Sequence, residues 1–374
     1  MKNRMMGIAA GLVIAAGLVI AAVVSARAQA AAAAHPSVEV VFVIDTTGSM
    51  GGLIEGAKQR IWAIANEIAK GRPAPKVRMG LVAYRDKGDE YVTKVFDLSD
   101  NLDRTYADLM TLRAGGGGDG PEHVIAALSD AVDKVSWSKD PKAFKVVYLV
   151  GDAPPHEDYA DAPKLAAVME RAVRRGLIVN AAPCGADASM MAAFERVARS
   201  GEGRLLPVPQ DGGMVAVATP FDSPLAELSG KLEETDLAYG SGRAKARMAM
   251  SLASSVRGMA SGAAAAERAV YKTRAGFSAE SDLASAVAEN RVELKDVKEE
   301  ELPDSFKGLS AGERKARLEK VVAERGAIRA QVVELSRKRE AWLKKESGAR
   351  KTDSFDARLV ESLKGQAARK GIAY

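Results

Sequence analysis

The sequence predicts an α/β fold: a doubly wound, mostly parallel six-stranded sheet with one antiparallel edge strand, followed by an α-helical C-terminal region. Three observations predict it. Apolar, β-branched runs alternate with helical stripes from about Pro36 to Pro209, the pattern of strands joined by crossover helices. Two of those runs are separated only by the polar loop K-G-D-E, so that pair is a hairpin and runs antiparallel. From about Pro224 the strand patterns vanish and Ala, Glu, Lys and Arg dominate. A sheet of this kind is covered by helices on both faces, with right-handed crossovers, and ligands sit beyond the carboxyl ends of its strands.

The chain has 374 residues, 47% of them hydrophobic, enough for a sizeable core and two or three domains. Its formal charge of +5 is uneven: about +3 in the leader, about −4 up to Asp222 and about +6 beyond. In the basic tail, acids and bases alternate at helical spacing, which reads as a solvated helical surface and not as a nucleic-acid patch. The single cysteine, Cys184, cannot form an intramolecular disulfide and reads as a small buried hydrophobe.

At the N-terminus Lys2 and Arg4 precede a long apolar run, Met5 to Val24, followed by S-A-R-A-Q-A. Ala26 and Ala28 fit a signal-peptidase site, giving a signal peptide over 1–28 and a spacer over 29–35. The run is also long enough to span a bilayer, so an uncleaved inner-membrane anchor is the alternative. Either way the expectation is export, to the periplasm or cell envelope, with membrane contact only through an uncleaved leader.

The first domain is drawn over 36–222. V-E-V-V-F-V-I-D is the first strand, and Leu53–Lys70 a helix with an apolar stripe. V-R-M-G-L-V-A-Y-R-D and Y-V-T-K-V-F-D-L form the hairpin. Asn101–Leu112 is a short helix, and A-G-G-G-G-D-G-P-E is a loop opening another, with Pro121 in its first turn. F-K-V-V-Y-L-V-G-D is the fourth strand, Pro163–Arg175 a helix, L-I-V-N-A-A-P-C the fifth strand, Met190–Ser200 a helix and R-L-L-P-V the sixth strand.

A helical linker region follows over 223–300, with helices at Glu227–Tyr239, Ala244–Arg257, Ala263–Lys272 and Ala284–Val297. The last region, 301–374, opens at a capping box, Ser310 and Glu313, and runs helically to about Glu346. Leu318, Val321, Arg325, Ile328, Val332, Leu335, Arg339 and Trp342 share a heptad spacing with Arg at two seam positions. That polar seam favours an antiparallel helical hairpin or bundle; an intermolecular coiled coil, and with it self-association, is the alternative.

The chemistry concentrates where strands end. D-x-T-x-S places Asp45, Thr47 and Ser49 at alternating positions after the first strand, so their oxygens face one way. Hydroxyls and carboxylates are hard ligands, suited to Mg²⁺, Ca²⁺ or Mn²⁺ and not to zinc. Asp119 on the glycine-rich loop and Asp152 after the fourth strand belong to the same sheet edge by the carboxyl-end rule. Asp45 and Ser49 could instead cap the following helix. His123 and His156 lack the further spaced ligands of a zinc site and read as surface or supporting groups. Arg85, Asp86, Asp89 and Glu90 read as solvated hairpin charges. The glycine-rich loop lacks the G-K-[ST] ending of a phosphate cradle.

I-D-T-T-G-S-M, the glycine-rich second loop and L-V-G-D resemble the von Willebrand factor type A (VWA) domain with its metal-ion-dependent adhesion site, over about Pro36–Pro209. The wordings V-G-D-A-P-P-H and A-Y-R-D-K-G-D-E-Y are similar to a bacterial exported subgroup and to domains found beside some alpha-kinases. The resemblance implies that Asp45, Thr47 and Ser49 bind the ion, with Asp152 directly or through water. Where many members have a second-loop Thr, this chain has Asp119, with Glu122 the weaker candidate. A third carboxylate tightens metal affinity and weakens attraction for an acidic ligand. The resulting expectation is a non-enzymatic metal-binding protein that contacts a protein or cell-surface ligand, in the family through an acidic group. The alternative is a metal-bearing partner of an ATPase, chelatase or kinase system. No catalytic constellation stands apart from the metal cluster. The segment Gly212–Thr235, interrupted by Pro220, is the expected link between metal site and tail.

Overall fold

The computed structural model describes residues 35–118, 120–257, 259, 261–274, 281–346 and 354–374. The predicted signal peptide and Asp119 lie outside the described residues. Among those described, no helix is long and apolar enough to cross a membrane.

Six strands form one sheet: β1 (Ser37–Asp45), β2 (Lys76–Tyr84), β3 (Thr93–Ser99), β4 (Phe144–Gly151), β5 (Leu177–Pro183) and β6 (Glu202–Leu205). Their order is β3-β2-β1-β4-β5-β6. All neighbours run parallel except β2 and β3, the hairpin at the edge. The fold is thus the doubly wound sheet the sequence predicts.

Alternation along β1 explains the layering, because successive side chains face opposite sides of a strand. Val38, Val40, Phe42 and Ile44 pack with helices α1 (Gly51–Ala69) and α2 (Leu102–Thr111). Val41 and Val43 pack with α3 (Val124–Asp133), α4 (Leu165–Arg174) and α5 (Ala188–Ser200). Pro121 is not in the first turn of α3. It stands in an extended segment where Glu122 bridges to Pro155, and the helix starts only at Val124.

Beyond β6 come α6 (Asp222–Glu234), α7 (Gly242–Arg257), α8 (Gly262–Lys272), α9 (Leu283–Ala288), α10 (Ala311–Glu346) and α11 (Phe355–Ala367). The helix predicted over Ala284–Val297 is much shorter. Asn290 adopts φ +55° just after α9, a left-handed conformation that ends a helix, and 3₁₀ turns follow.

The heptad seam of α10 is satisfied within the chain. Ile328 and Val332 pack against Leu225, Leu228 and Leu232 of α6 and Ala266 and Ala269 of α8. Both seam arginines are buried and answered: Arg325 bonds Asp282 Oδ2 (2.6 Å) and Thr235 Oγ1 (3.0 Å), and Arg339 bonds Asp222 Oδ1 (2.7 Å) and Glu267 Oε1 (2.6 Å). The result is an intramolecular bundle.

The last helix belongs to the sheet, not to a separate arm. Phe355, Leu359, Leu363 and Ala367 of α11 share one core with β1 and β4. Tyr148 Oη meets Ser362 Oγ at 2.9 Å, and Asn180 and Gln366 exchange two amide hydrogen bonds at 3.0 and 2.8 Å. Phe355 N–H donates to Gly212 O at 2.8 Å. The chain therefore leaves the sheet near Gly213 and returns at Ser354, with the helical module between. The domain drawn over 36–222 omits this final covering helix. Exits and returns at neighbouring points are where an inserted module is accommodated with little disturbance.

α8 ties the module back to the sheet layer. Arg268 grips Asp103 of α2 with two nitrogens, and Tyr271 stacks edge-on to Trp62 at 5.8 Å. Pro36–Tyr374 is accordingly one compact unit.

Candidate metal centre

The site is built at the carboxyl edge of the central strands. Ile44 of β1 lies opposite Val150 of β4 in parallel register, which brings Asp45, the last residue of β1, beside Gly151. Glycine is needed there. A Cβ at 151 would stand 2.3 Å from Tyr84 Oη and 3.3 Å from Asp45 Oδ2, closer than packed atoms approach.

Three loops are tied together around Asp45. Gly115 N donates to Thr46 O (3.0 Å) and Gly48 N to Gly116 O (3.3 Å), joining the first loop to the second. Glu122 N donates to Pro154 O (2.9 Å) and His156 N to Glu122 O (3.0 Å), joining the second to the third. Gly116 and Gly117 take φ +78° and +83°, a region open to glycine at little cost. These turns bring Gly117 against Thr47 and Glu122.

Within the first loop Asp45 and Thr47 are in contact. Asp45 Oδ1 accepts from Thr47 N at 2.8 Å and from Thr47 Oγ1 at 2.7 Å. Asp45 is fully buried, and its other oxygen, Oδ2, has no hydrogen-bond partner among the described residues. Ser49 is exposed on the short 3₁₀ turn Gly48–Met50. Asp152 is half-buried and accepts a hydrogen bond from Gln210 Nε2.

The electrostatics follow from burial. Desolvation raises the Asp45 carboxyl to about 7; the Thr47 hydrogen bonds oppose the rise, the Asp152 charge adds to it and the Arg85 charge opposes it. A buried carboxylate oxygen without a donor is costly unless a cation neutralises it. The donor set at Asp45 and Thr47 is all oxygen and suits a hard divalent ion. Among the described residues, no group of three or more His, Cys, Asp and Glu is placed to hold a metal. His156 is instead engaged with Asp158 Oδ1 (2.8 Å) and stacked on Tyr159 at 4.2 Å. Burial also pushes the Cys184 thiol well up, which leaves it unreactive as a nucleophile.

Supporting residues that sequence reasoning missed surround this centre. Arg85 and Asp86 are not solvated: each is only 6% exposed. Arg85 donates to Thr46 O (3.1 Å) and Arg113 O (2.9 Å), so it braces the first loop. Asp89 accepts from Gly117 N at 3.1 Å and pins the second loop. Tyr159 Oη donates to Asp86 Oδ2 at 2.7 Å.

Residues 39–182 match the family model described as the von Willebrand factor A domain. Over this segment the chain is similar to the von Willebrand factor A domain. The chain is similar to the alpha-protein kinase vwkA of Dictyostelium discoideum, with 29% identity over 129 residues, 32% of this chain and 19% of that one. It is also similar to the human von Willebrand factor A domain-containing protein 7, with 38% identity over 97 residues, 26% of this chain and 10% of that one. The chain thus spans about a fifth or less of the length of these relatives. Among solved structures, proximal thread matrix protein 1 from the mussel byssus aligns with TM-score 0.37 and 16% identity, over 47% of this chain and 43% of that one. The SpRpn10 VWA domain aligns with TM-score 0.36 and 14% identity, over 47% of this chain and 89% of that one. The family match ends within β5, whereas the sheet it covers is completed by β6 and α11.

Proposed function

We propose that this is a non-enzymatic, exported VWA protein of the bacterial envelope that binds a divalent cation and, through that site, a protein or surface ligand. Asp45, Thr47 and Ser49 would hold Mg²⁺, or Ca²⁺ or Mn²⁺ in its place, with Asp152 and Asp119 from the other two loops. Bound there, the ion supplies positive charge and an open coordination position for an oxygen of the ligand. The observation that carries the reading is Asp45 Oδ2, buried and without a donor among the described residues at a rim where three loops are bonded together. Thr47 fixes the orientation of the carboxylate by bonding its other oxygen. Isothermal titration of Mg²⁺ and Mn²⁺ into the wild type and Asp45→Ala tests it: the wild type binds and the variant does not. Equal binding by both sinks the site.

A second reading follows from the similarity to a segment of an alpha-protein kinase: the chain serves as the metal-bearing partner of a kinase or ATPase system. A pulldown that recovers such an enzyme, or an enzymatic activity that depends on adding this chain, favours it.

A further inference from the structure

Away from the metal centre, α9, the turns after it and the start of α10 line an open apolar groove of about 720 Å³, within the size range of small-molecule sites. Its floor is Val287, Leu294 and Leu318, with Val322 at the mouth, 45% exposed. Small residues, Ala288 and Ala323, leave the space unfilled.

Polar lining is confined to four charged side chains, three of them cationic: Lys295, Arg314 and Lys315 against Glu319. Of the three, Lys315 is the one held loosely. Lys295 pairs with Glu293 at the exposed surface, Arg314 pairs with Glu299, and Lys315 is 3.9 Å from Glu319. Exposed pairs of this kind contribute little and exchange readily.

A partner helix is a poor occupant. The groove's apolar floor is only three side chains, Val287, Leu294 and Leu318, ringed by charge, too few for the successive anchors of a docked helix. We propose that this groove binds a long-chain carboxylate, its alkyl chain on the Val287–Leu294–Leu318 floor and its head group at Lys315.

The test uses the full chain and titrates palmitate below its aggregation concentration, followed by calorimetry. Hexadecanol tests the need for charge, and vesicles of phosphatidylglycerol test a membrane lipid as the source. Expected are saturable one-to-one binding of palmitate and weakening of about tenfold for hexadecanol and for Lys315→Glu. Ala323→Trp and Ala288→Trp, at exposed helix positions, should each abolish binding while leaving the unfolding temperature unchanged. Absence of saturable palmitate binding, binding to vesicles alone, or binding indifferent to both tryptophan variants overturns the proposal.

Discussion

Thr47 donates twice to a single oxygen of Asp45, from its backbone N–H at 2.8 Å and its hydroxyl at 2.7 Å. One side of the buried carboxylate is thereby fixed, and the other, Oδ2, faces the rim beside Gly151. This division sets the pH behaviour of the centre. The folded carboxyl titrates near 7 against an ordinary value of 3.8. Between those values the native state holds a proton that the unfolded chain has lost, so metal-free stability falls as pH rises and levels off above about 7. Cation binding should release that proton, and affinity should drop about tenfold per pH unit below 7. Calorimetry at pH 6 in two buffers of different ionisation enthalpy reads the proton directly; identical heats in both would show that none is released.

Gly151→Ala should disable the centre from beneath. The new methyl would meet Tyr84 Oη and crowd Asp45. Metal affinity should fall by more than tenfold, with a stability loss of about 1–3 kcal/mol from overpacking. Tyr84→Phe in the same chain removes the nearest atom and should restore part of both. A double variant no better than the single one would show that the clash is not the cause.

The final helix should behave as part of the sheet. Leu359 is fully buried in the core shared with β1 and β4, so Leu359→Ala should cost about 2–5 kcal/mol. Truncation after Glu346 should abolish cooperative unfolding of the VWA domain. An unchanged melting curve would mean that α11 is an accessory.

Arg325 closes the helical module over Asp282, bonding it through both Nη atoms. Arg325→Ala strands a buried carboxylate and should cost about 3–5 kcal/mol, whereas Arg325→Met with Asp282→Asn should recover much of that. Denaturant melts of the wild type and both variants measure the difference, and a double variant as unstable as the single one argues against the ion pair.

Gln210 joins Asp152 to the segment where the chain leaves the sheet. A cation drawing on Asp152 competes with that bond, so hydrogen exchange over Gly212–Thr235 should change on adding Mg²⁺. Exchange that ignores the ion would refute the coupling.

Much of this was legible in the sequence because it is local. The succession of strands along the chain and the antiparallel edge follow from apolar runs and one short polar loop, and D-x-T-x-S marks the first loop of the site without reference to anything distant. What escaped was long-range. Nothing in S-F-D-A-R-L-V announces that Phe355 and Leu359 return to the sheet across the whole helical module. Arg325 and Arg339 looked like flaws in a coiled-coil seam because their acids, Asp282 and Asp222, come from other helices. Arg85 and Asp86 looked solvated because hairpin charges ordinarily are, and only the fold lays the second loop over Arg85 and the third, through Tyr159, over Asp86.

The most direct test of the central claim is diffraction from crystals grown with Mn²⁺, recorded at the manganese edge. The wild type should show an anomalous peak bounded by Asp45 Oδ2, Thr47 and Ser49 that is absent in Asp45→Asn. A wild-type map with no peak at that rim, under conditions where Mn²⁺ is in excess, would contradict it.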